Sequence, residues 1–478
     1  ATFGTDYTQT GAATFGATSG TVNFGAGITT ATVTIDPTAD TTAEGNETAI
    51  LTVTTGTGYN VASPSQATGT INDDDVAGGI VRFSAANYNT TESSGSTTIT
   101  VERVGDTSQE VTVDYDGPDD SAGTTVVPCA TISGLATPRC DFTTTLGTLR
   151  FAAGETSKTF TVLISQDNYV EGPETLTLTL SNLTGGATFG TPSTALLTIA
   201  DDLTEPTASP IDDAQNFVRQ HYHDFLNREP DPAGLAFWTN QILACGSNVQ
   251  CIEETRISVS ASFFLSIEFQ DTGYLVERLY KVSYGDATGS STIGPPHTLP
   301  VPNVKFREFM RDTQKISQGL VVLQPGWETV LENNKQAFVA EFVQRPRFAT
   351  AYPTTLTPSA FVDALFAHAG VTPSTTDRDD AINEFGAALN TAGLAARGRV
   401  LRRVAEIATL RTNESNRAFV LMQYFGYLRR NPDAAQDTDH SGYEFWLTKL
   451  NQFNGNFIDA EMVKAFISSI EYRKKFSQ

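Results

Sequence analysis

Gln166-Asp-Asn-Tyr-Val-Glu-Gly-Pro-Glu174 is an acidic segment between two stretches that have the pattern of β-strands. Residues 159–164 precede it and residues 175–180 follow it, and both alternate polar with apolar side chains, the period of a half-buried strand. Carboxylates gathered in one loop repel one another unless a cation lies among them, and Ca²⁺ takes about six to eight oxygen ligands. The segment therefore predicts a β-sandwich whose end carries either a calcium site or a solvated acidic turn.

The same arrangement occurs earlier in the chain. Glu44 and Glu171 each stand 24 positions after a Gly-Thr pair, and an aspartate follows 29 and 30 positions later, at Asp73 and Asp201. Two acidic loops held at one spacing by two sets of strands indicate a repeated module. The repetition favours the metal site over the solvated turn.

These residues resemble the Calx-β domain family. Its Gly-Thr-hydrophobic-x-Phe strand is met by Gly147-Thr-Leu-Arg-Phe151 and Gly20-Thr-Val-Asn-Phe24, and a D-x-x-x-E-x-x-E loop and a terminal I-x-D-D follow in both copies. The resemblance covers about the first 200 residues and implies a seven-stranded immunoglobulin-like sandwich that binds Ca²⁺ at the end facing the next module. The candidate metal ligands are Glu92, Asp119 (in a turn with Asp120), Asp167, Glu171, Glu174, Asp201 and Asp202 in the second copy, and Asp40, Glu44, Glu47, Asp73, Asp74 and Asp75 in the first.

The composition limits the classes of partner. The 478 residues include 31 Lys and Arg against 54 Asp and Glu, a net charge of −23 with a pI near 4.5. Such a chain cannot neutralise a run of phosphates, which excludes nucleic acid, and it suits a soluble extracellular protein whose charge divalent cations screen. No apolar run is long enough to predict a membrane span, and a start at Ala1 without a signal peptide indicates a processed or truncated product.

The four cysteines form two close pairs, Cys129 with Cys140 and Cys245 with Cys251. Neither pair has the C-x-x-C spacing of a zinc or redox site. We expect two disulfides, each closing a short loop, and four unpaired thiols are the alternative. Disulfides would place the protein in an oxidising compartment or outside the cell.

The first β module, residues 1–76, is incomplete. It has only about 20 residues before its Gly-Thr strand, whereas the second module has three further strands there. An open sandwich exposes an apolar face and unpaired edges. Either a longer parent has been cut, or another chain supplies the strands, which is a known route to polymers.

The second module, residues 77–203, is complete, and residues 204–212 form a short linker. Residues 117–145 are an insertion that we expect to be a surface loop. From residue 213 the apolar period changes to 3.6, with Asp213 as N-cap. The predicted fold is therefore multidomain β plus α: two immunoglobulin-like β-sandwiches, the first incomplete, followed by an all-α helical repeat domain over residues 213–478.

The helical half contains repeated units. Residues 217–238 and 419–446 share the signature F-V-x-x-x-Y-x-x-x-L-x-R-x-P-D-x-x-G-x-x-x-W in closely similar form and resemble domain of unknown function 4214, a helical module of secreted bacterial proteins. A recurring Ser-x-Glu-Tyr-Arg element is also similar to the phycobilisome linker repeat, an assembly module. Residues 283–302, rich in Gly, Ser and Pro, depart from the repeat and are predicted to be a surface loop.

Asp437, Asp439 and Ser441 form a weaker metal candidate. Their spacing matches the first half of an EF-hand loop, but position 12 is Thr448 rather than a bidentate Glu. A capping turn is the alternative. The chain has no zinc-protease, nucleophile-elbow or P-loop motif, and we therefore expect no enzymatic activity.

The function predicted from the sequence is that of a non-catalytic bacterial extracellular structural protein. It would bind Ca²⁺ and assemble with copies of itself into a surface layer or filament, with strand complementation of the first module as one route. A calcium-dependent adhesin that recognises a glycan or a cell surface is the alternative.

Overall fold

The computed structural model of the protein describes residues 1–40, 42–119, 121, 128–202 and 205–477. Strands occupy the first 200 residues, and helices with one β-hairpin occupy the rest. The strands are β1 (Tyr7–Thr10), β2 (Thr14–Phe15), β3 (Gly20–Thr21), β4 (Thr34–Pro37), β5 (Glu47–Thr52), β6 (Gln66–Ile71), β7 (Ile80–Phe83), β8 (Asn87–Thr91), β9 (Ser96–Val104), β10 (Val111–Asp116), β11 (Leu146–Phe151), β12 (Ser157–Leu163), β13 (Glu174–Ser181), β14 (Thr188–Phe189), β15 (Thr194–Ala200), β16 (Ala287–Ser291) and β17 (His297–Val301).

The helices follow the linker. They are α1 (Ala214–His221), α2 (Pro232–Leu243), α3 (Val249–Leu265), α4 (Ile267–Asp271), α5 (Gly273–Tyr284), α6 (Phe306–Ser317), α7 (Trp327–Phe342), α8 (Pro346–Ala351), α9 (Pro358–Ala369), α10 (Thr375–Asn383), α11 (Leu394–Ala405), α12 (Ala408–Gln423), α13 (Ser441–Gln452), α14 (Met462–Ile467) and α15 (Ile470–Arg473). The β-plus-α fold class predicted from the sequence is confirmed. Asp213 is the N-cap of α1, since its carboxylate accepts hydrogen bonds from the backbone N–H groups of Gln215 and Asn216.

The second module is a sandwich of two sheets. One has the order β11-β10-β13-β15-β8 and the other β12-β9-β7-β14. Most neighbours are antiparallel, whereas β8 runs parallel to β15 and β14 runs parallel to β7. Alternate side chains of these strands, such as Val81, Phe83 and Leu178, are fully buried between the sheets. The strands predicted on both sides of the acidic segment are β12 and β13.

The first module consists of three separate strand pairs, β1 with β4, β2 with β3, and β5 with β6. By sequence position the hairpin β5–β6 matches β13–β15, which in the second module lies between β10 and β8. Among the described residues, no strand pairs with the outer edge of either β5 or β6. The apolar side chains of Ile50 and Val53 on this hairpin are 53% and 61% exposed.

Two units of the helical half share one geometry. The helices α1 and α12 each continue into a π-helical turn, Tyr222–Leu226 and Tyr424–Leu428, which ends at a left-handed residue. In the first unit Arg228 then pairs with Glu268, and in the second Arg430 pairs with Glu471, both through two hydrogen bonds of 2.7–2.9 Å. The sequence repeat of residues 217–238 and 419–446 is thus accompanied by a repeated arginine–glutamate ion pair.

The second sandwich and the helices pack directly against each other. Leu146 belongs to the apolar core of the helical half, and the Tyr115 hydroxyl donates a hydrogen bond to Gln314 on α6. On the same helix, Arg307 and Arg311 both bind the carboxylate of Asp116. This interface runs along β10, β11 and α6.

The structure corrects two predictions of surface loops. The described C-terminal part of the insertion is buried: residues 139–145 are almost inaccessible because they lie between the sandwich and the helices. Residues 283–302 form the end of α5 and the hairpin β16–β17, whose Ser290 carbonyl accepts a hydrogen bond from the backbone N–H of His440.

Candidate metal centre

One group of carboxylates lies at the end of the second sandwich, where three chain segments meet. Asp167 follows β12, Glu171 precedes β13, and Asp141 belongs to the insertion. One oxygen from each lies within 4.8 Å of the other two. Asp141 reaches this place because its segment pairs with the end of β12: Thr143 N–H donates to the Leu163 carbonyl.

A second group comprises Glu92, Asp201 and Glu205, whose oxygens also lie within 4.8 Å of one another. The parallel pairing of β8 with β15 places Thr91 opposite Ala200. The residues that directly follow these strands, Glu92 and Asp201, are therefore brought together although they are far apart in sequence. Glu205 comes from the linker.

The two groups are joined by hydrogen bonds. Oε1 of Glu92 accepts a hydrogen bond of 2.6 Å from the backbone N–H of Asp167. Oδ2 of Asp201 accepts from the backbone N–H groups of Glu171 and Gly172, at 3.0 and 2.7 Å. The acidic loops thus form one continuous site.

The hydrogen bonding of this site is incomplete. The side chain of Asp167 is 1% exposed, and Tyr169 N–H donates to its Oδ1 at 2.8 Å. No described residue donates a hydrogen bond to its Oδ2 or to either carboxylate oxygen of Glu205. A buried carboxylate oxygen without a donor is costly unless a cation binds it. Hard carboxylate oxygens from several loops fit Ca²⁺.

Burial and the neighbouring carboxylates also raise the pKa values of several carboxyl groups in this site. Burial raises the pKa of Glu92 to about 8 and the pKa of Asp167 to about 10, and the neighbouring carboxylates add to both shifts. Burial and the charge of Asp141 raise the pKa of Glu171 to about 8. Burial also raises the pKa of Glu205 to about 7. Such shifts mark negative charges that lack compensation.

The other predicted ligands of the second copy lie in different places. Glu174, at the start of β13, lies beside Asp141, and burial followed by the charge of Asp141 raises its pKa to about 9. Asp202 accepts a hydrogen bond of 2.9 Å from the amide of Gln166. Asp120 lies outside the described residues.

The placement of Asp119 in this cluster is corrected. Its carboxylate instead pairs with Arg307 at 2.8 Å and accepts hydrogen bonds from Ser121. The acid that the insertion contributes is Asp141, because the segment after Cys140 returns to the edge of the sandwich. Sequence reasoning missed Asp141 and Glu205. An Asp-aromatic pair shared by both copies, Asp6-Tyr7 and Asp141-Phe142, was the available signal for the first of them.

The first copy repeats part of this geometry. Oxygens of Asp6, Glu44 and Glu47 lie within 4.8 Å of one another. Asp73 accepts a hydrogen bond of 2.7 Å from the backbone N–H of Glu44, as Asp201 does from Glu171. Burial, followed by the charge of Asp40, raises the pKa of Glu44.

The other acids of the first copy are arranged more loosely. Asp40 accepts a hydrogen bond from Thr42 N–H, and Asp75 N–H donates to Asp73. Within the described part of the chain, Asp40, Asp74 and Asp75 join no group of three ligand atoms. Asp6 was not among the predicted ligands.

The Asp437 loop has the geometry of a turn. Asp437 pairs with the buried Arg430 at 2.9 Å, and Asp439 accepts a hydrogen bond of 2.9 Å from Ser441 N–H. That backbone hydrogen bond lowers the pKa of Asp439. Among the described residues, the oxygens of Asp437 and Asp439 join no group of three candidate ligands. These contacts favour the capping interpretation.

Both predicted disulfides are present, Cys129–Cys140 and Cys245–Cys251. The first one anchors the insertion immediately before Asp141. No helix among the described residues has the length and apolar character needed to cross a membrane.

Comparisons with solved structures give likenesses over about a quarter of this chain. An apo-form Calx CBD1 domain is 27% identical over 26% of this chain and 96% of its own, with a TM-score of 0.21. The calcium binding domain CBD12 of CALX1.1 is 26% identical over 26% of this chain and 45% of its own, also with a TM-score of 0.21. A putative carbohydrate binding protein from Bacteroides ovatus is 15% identical over 27% of this chain and 38% of its own, with a TM-score of 0.18.

These TM-scores are too low to carry an argument about the whole chain, and no curated protein matches it. Family comparisons are more informative. The Calx-beta domain family matches residues 3–75, 74–125 and 120–203, and the domain of unknown function DUF4214 matches residues 207–272. The second helical unit, residues 419–446, lies outside the matched ranges. The chain thus consists of Calx-beta domains over residues 3–203, followed by a helical region that begins with a DUF4214 domain.

Proposed function

We propose that this protein is a non-catalytic, calcium-binding structural protein of the bacterial exterior that assembles with copies of itself into a surface layer or filament. The observation that carries the calcium part is the group formed by Asp141, Asp167 and Glu171. Three carboxylate oxygens lie within 4.8 Å there, and no described residue donates to the buried Oδ2 of Asp167. The geometry suits a hard divalent cation.

The residues of the two groups would divide the binding between them. Asp141, Asp167 and Glu171 would hold one ion, while Glu92, Asp201 and Glu205 would hold another. A bound Ca²⁺ supplies positive charge that removes the mutual repulsion of these carboxylates. The ions would thereby fix the loops after β8, β12 and β15 to the insertion and the linker.

Three observations support a structural role outside the cell. Two disulfides fit an oxidising environment. Neither matched family is a catalytic one. The net charge of −23 keeps separate molecules apart until divalent cations screen it.

The first module supports the assembly part. Both outer edges of the hairpin β5–β6 are without a partner strand in the described chain, and its Ile50 and Val53 are exposed. An open edge with apolar side chains binds further strands through backbone hydrogen bonds. Strands from another copy would complete the sheet.

Calorimetric titration of the full chain with CaCl₂ tests the calcium site. We expect saturable binding that Asp167→Asn weakens at least about tenfold, since the variant removes a buried charged ligand. Asp437→Asn is the matched control. This variant should leave the isotherm unchanged, because Asp437 is already paired with Arg430. The absence of saturable binding by the wild-type protein would overturn the calcium proposal.

Light scattering of the same protein in calcium and in a chelator tests assembly. We expect large particles that Ile50→Lys dissociates, since a charge on an open edge opposes strand addition. Val249→Lys, at a residue on α3 that is 77% exposed, is the control and should assemble normally. A monodisperse wild-type monomer under both conditions would refute self-assembly and favour the adhesin alternative.

A further inference from the structure

The acidic loop of the candidate metal centre also touches the C-terminal segment of the chain, residues 471–476. The backbone N–H of Asn168 donates to the Phe476 carbonyl at 3.1 Å. The Tyr169 hydroxyl donates to the Lys474 carbonyl at 2.9 Å. These contacts come from the two residues directly after Asp167, so the position of that ligand and the docking of the segment are mechanically linked.

The insertion makes a second connection of this kind. Arg139 lies two positions before Asp141, and its Nη1 donates to the Leu428 carbonyl at 3.4 Å and lies 3.9 Å from Glu471. Glu471 itself is held by Arg430 through two hydrogen bonds. The segment that carries Asp141 is therefore attached to the helical domain through the buried Arg139.

A small cavity of about 80 Å³ lies between the two domains at this end. Glu92 and Gln166 line it from the sandwich, and Ile211 and Phe476 line it from the helical side. The segments that supply Glu92, Asp141 and Asp167 thus lie at the boundary with the helices. The contacts of Arg307 and Arg311 with Asp116 are different, because they involve none of the candidate ligands.

We propose that cation binding at the Asp141–Asp167–Glu171 group controls the docking of residues 471–476 onto the sandwich. The proposal rests on the proposed calcium site and adds the regulation of an interdomain contact. Without a cation, the buried Oδ2 of Asp167 has no partner among the described residues, so the Asp167 loop is no longer fixed and releases the C-terminal segment. The α6 contacts persist, so the interface opens at one end only.

Hydrogen–deuterium exchange of the full chain, in calcium and in a chelator, tests the inference. In chelator we expect exchange at least about tenfold faster at the amide of Asn168 and in residues 471–476. Exchange in α6 should be unchanged. Equal protection under both conditions, with calcium binding established by calorimetry, would overturn the inference and leave the calcium proposal intact. Failure of calcium to bind would instead remove the calcium proposal itself.

A pair of variants separates binding from docking. Tyr169→Phe deletes the hydrogen bond to the Lys474 carbonyl but no carboxylate. We expect it to keep the calcium affinity of the wild type within about threefold while residues 471–476 exchange faster in calcium. Tyr88→Phe, on the same sandwich, is the control and should leave the C-terminal segment protected. Unchanged protection in Tyr169→Phe would contradict the mechanical link.

Discussion

Glu92→Gln should stabilise the protein in chelator and should lose that advantage in calcium. In the unfolded chain Glu92 titrates near 4.5, whereas burial raises the pKa of the folded carboxyl to about 8. A carboxyl with a raised folded pKa contributes a stability that is complete below pH 4.5. That stability is lost as the pH rises through 8.

The size of the expected change in the free energy of unfolding follows from the pKa shift of Glu92. At pH 7 and without metal, the folded protein must take up a proton at Glu92 that the unfolded chain does not hold. Between pH 4.5 and pH 7 this uptake costs about 3 kcal/mol. Glutamine avoids it and keeps the Oε1 that accepts from the N–H of Asp167. We therefore expect the variant to be more stable than the wild type by about 2 to 3 kcal/mol in chelator.

Calcium should remove this advantage. A ligand at about one hundred times its dissociation constant stabilises the folded wild type by about 2.7 kcal/mol, and loss of one charged ligand removes much of that gain from the variant, so the two proteins become about equally stable. Urea unfolding in calcium and in chelator, between pH 4 and pH 8, measures both differences. The difference between the wild type and the variant in chelator should become small at pH 4, where most of Glu92 is protonated in both states.

The control is Glu102→Gln, which removes a carboxylate in the same sandwich. Glu102 is 38% exposed at its side chain and lies 3.5 Å from Arg82, so the change should be within about 0.5 kcal/mol in both conditions. If Glu92→Gln destabilised the protein in chelator, Glu92 would not be a strained carboxylate. If calcium stabilised the variant and the wild type equally, Glu92 would not be a ligand.

Two further predictions concern other parts of the fold. Arg430→Met should destabilise the helical domain by about 3 kcal/mol in urea unfolding, because it leaves Glu471 without its two-bond partner in a mostly buried position. Replacing Cys129 and Cys140 by serine should lower the free energy of unfolding by about 3 kcal/mol, which is the loop entropy for a separation of 11 residues. The same variant should bind calcium more weakly in calorimetry, because the disulfide holds Asp141.

Each of these changes has a matched control. Arg82→Met removes an arginine from an exposed pair and should cost less than about 1 kcal/mol, so an equal loss at both sites would contradict the buried-pair argument. Replacing Cys245 and Cys251 removes a disulfide from the helical domain, away from the carboxylates. Calcium affinity should not change in that variant, and an equal loss of affinity in both disulfide variants would refute a specific role for the Cys129–Cys140 bond.

The two acidic clusters share two features and differ in one. In both copies an aspartate after the last strand accepts the backbone N–H of a glutamate in the acidic loop, as Asp73 and Asp201 do. In both, an Asp-aromatic pair supplies a further carboxylate, Asp6 or Asp141. The second copy differs by its depth of burial, because the helices cover it and the first copy has no such cover among the described contacts.

Local sequence determined much of this protein. The alternation of polar and apolar residues fixes strands such as β12 and β13, since every second side chain must face the sandwich core. The spacing of the cysteines predicts two short-loop disulfides, and both are present. The acidic loop and the aspartate at the end of the module identify Glu171 and Asp201, because strand order carries these residues to the same end of a sandwich.

Tertiary structure decided the rest. The parallel pairing of β8 with β15 brings Glu92 to Asp201, and no local pattern encodes a pairing between strands so far apart in sequence. The path of the insertion gives Asp141 to the metal centre and leaves Asp119 to Arg307, since a loop without periodicity is positioned by what packs on it. Glu205 joins from the linker, where no sequence pattern marked it. Side-chain chemistry is local, whereas the meeting of carboxylates depends on long-range contacts that only the folded chain creates.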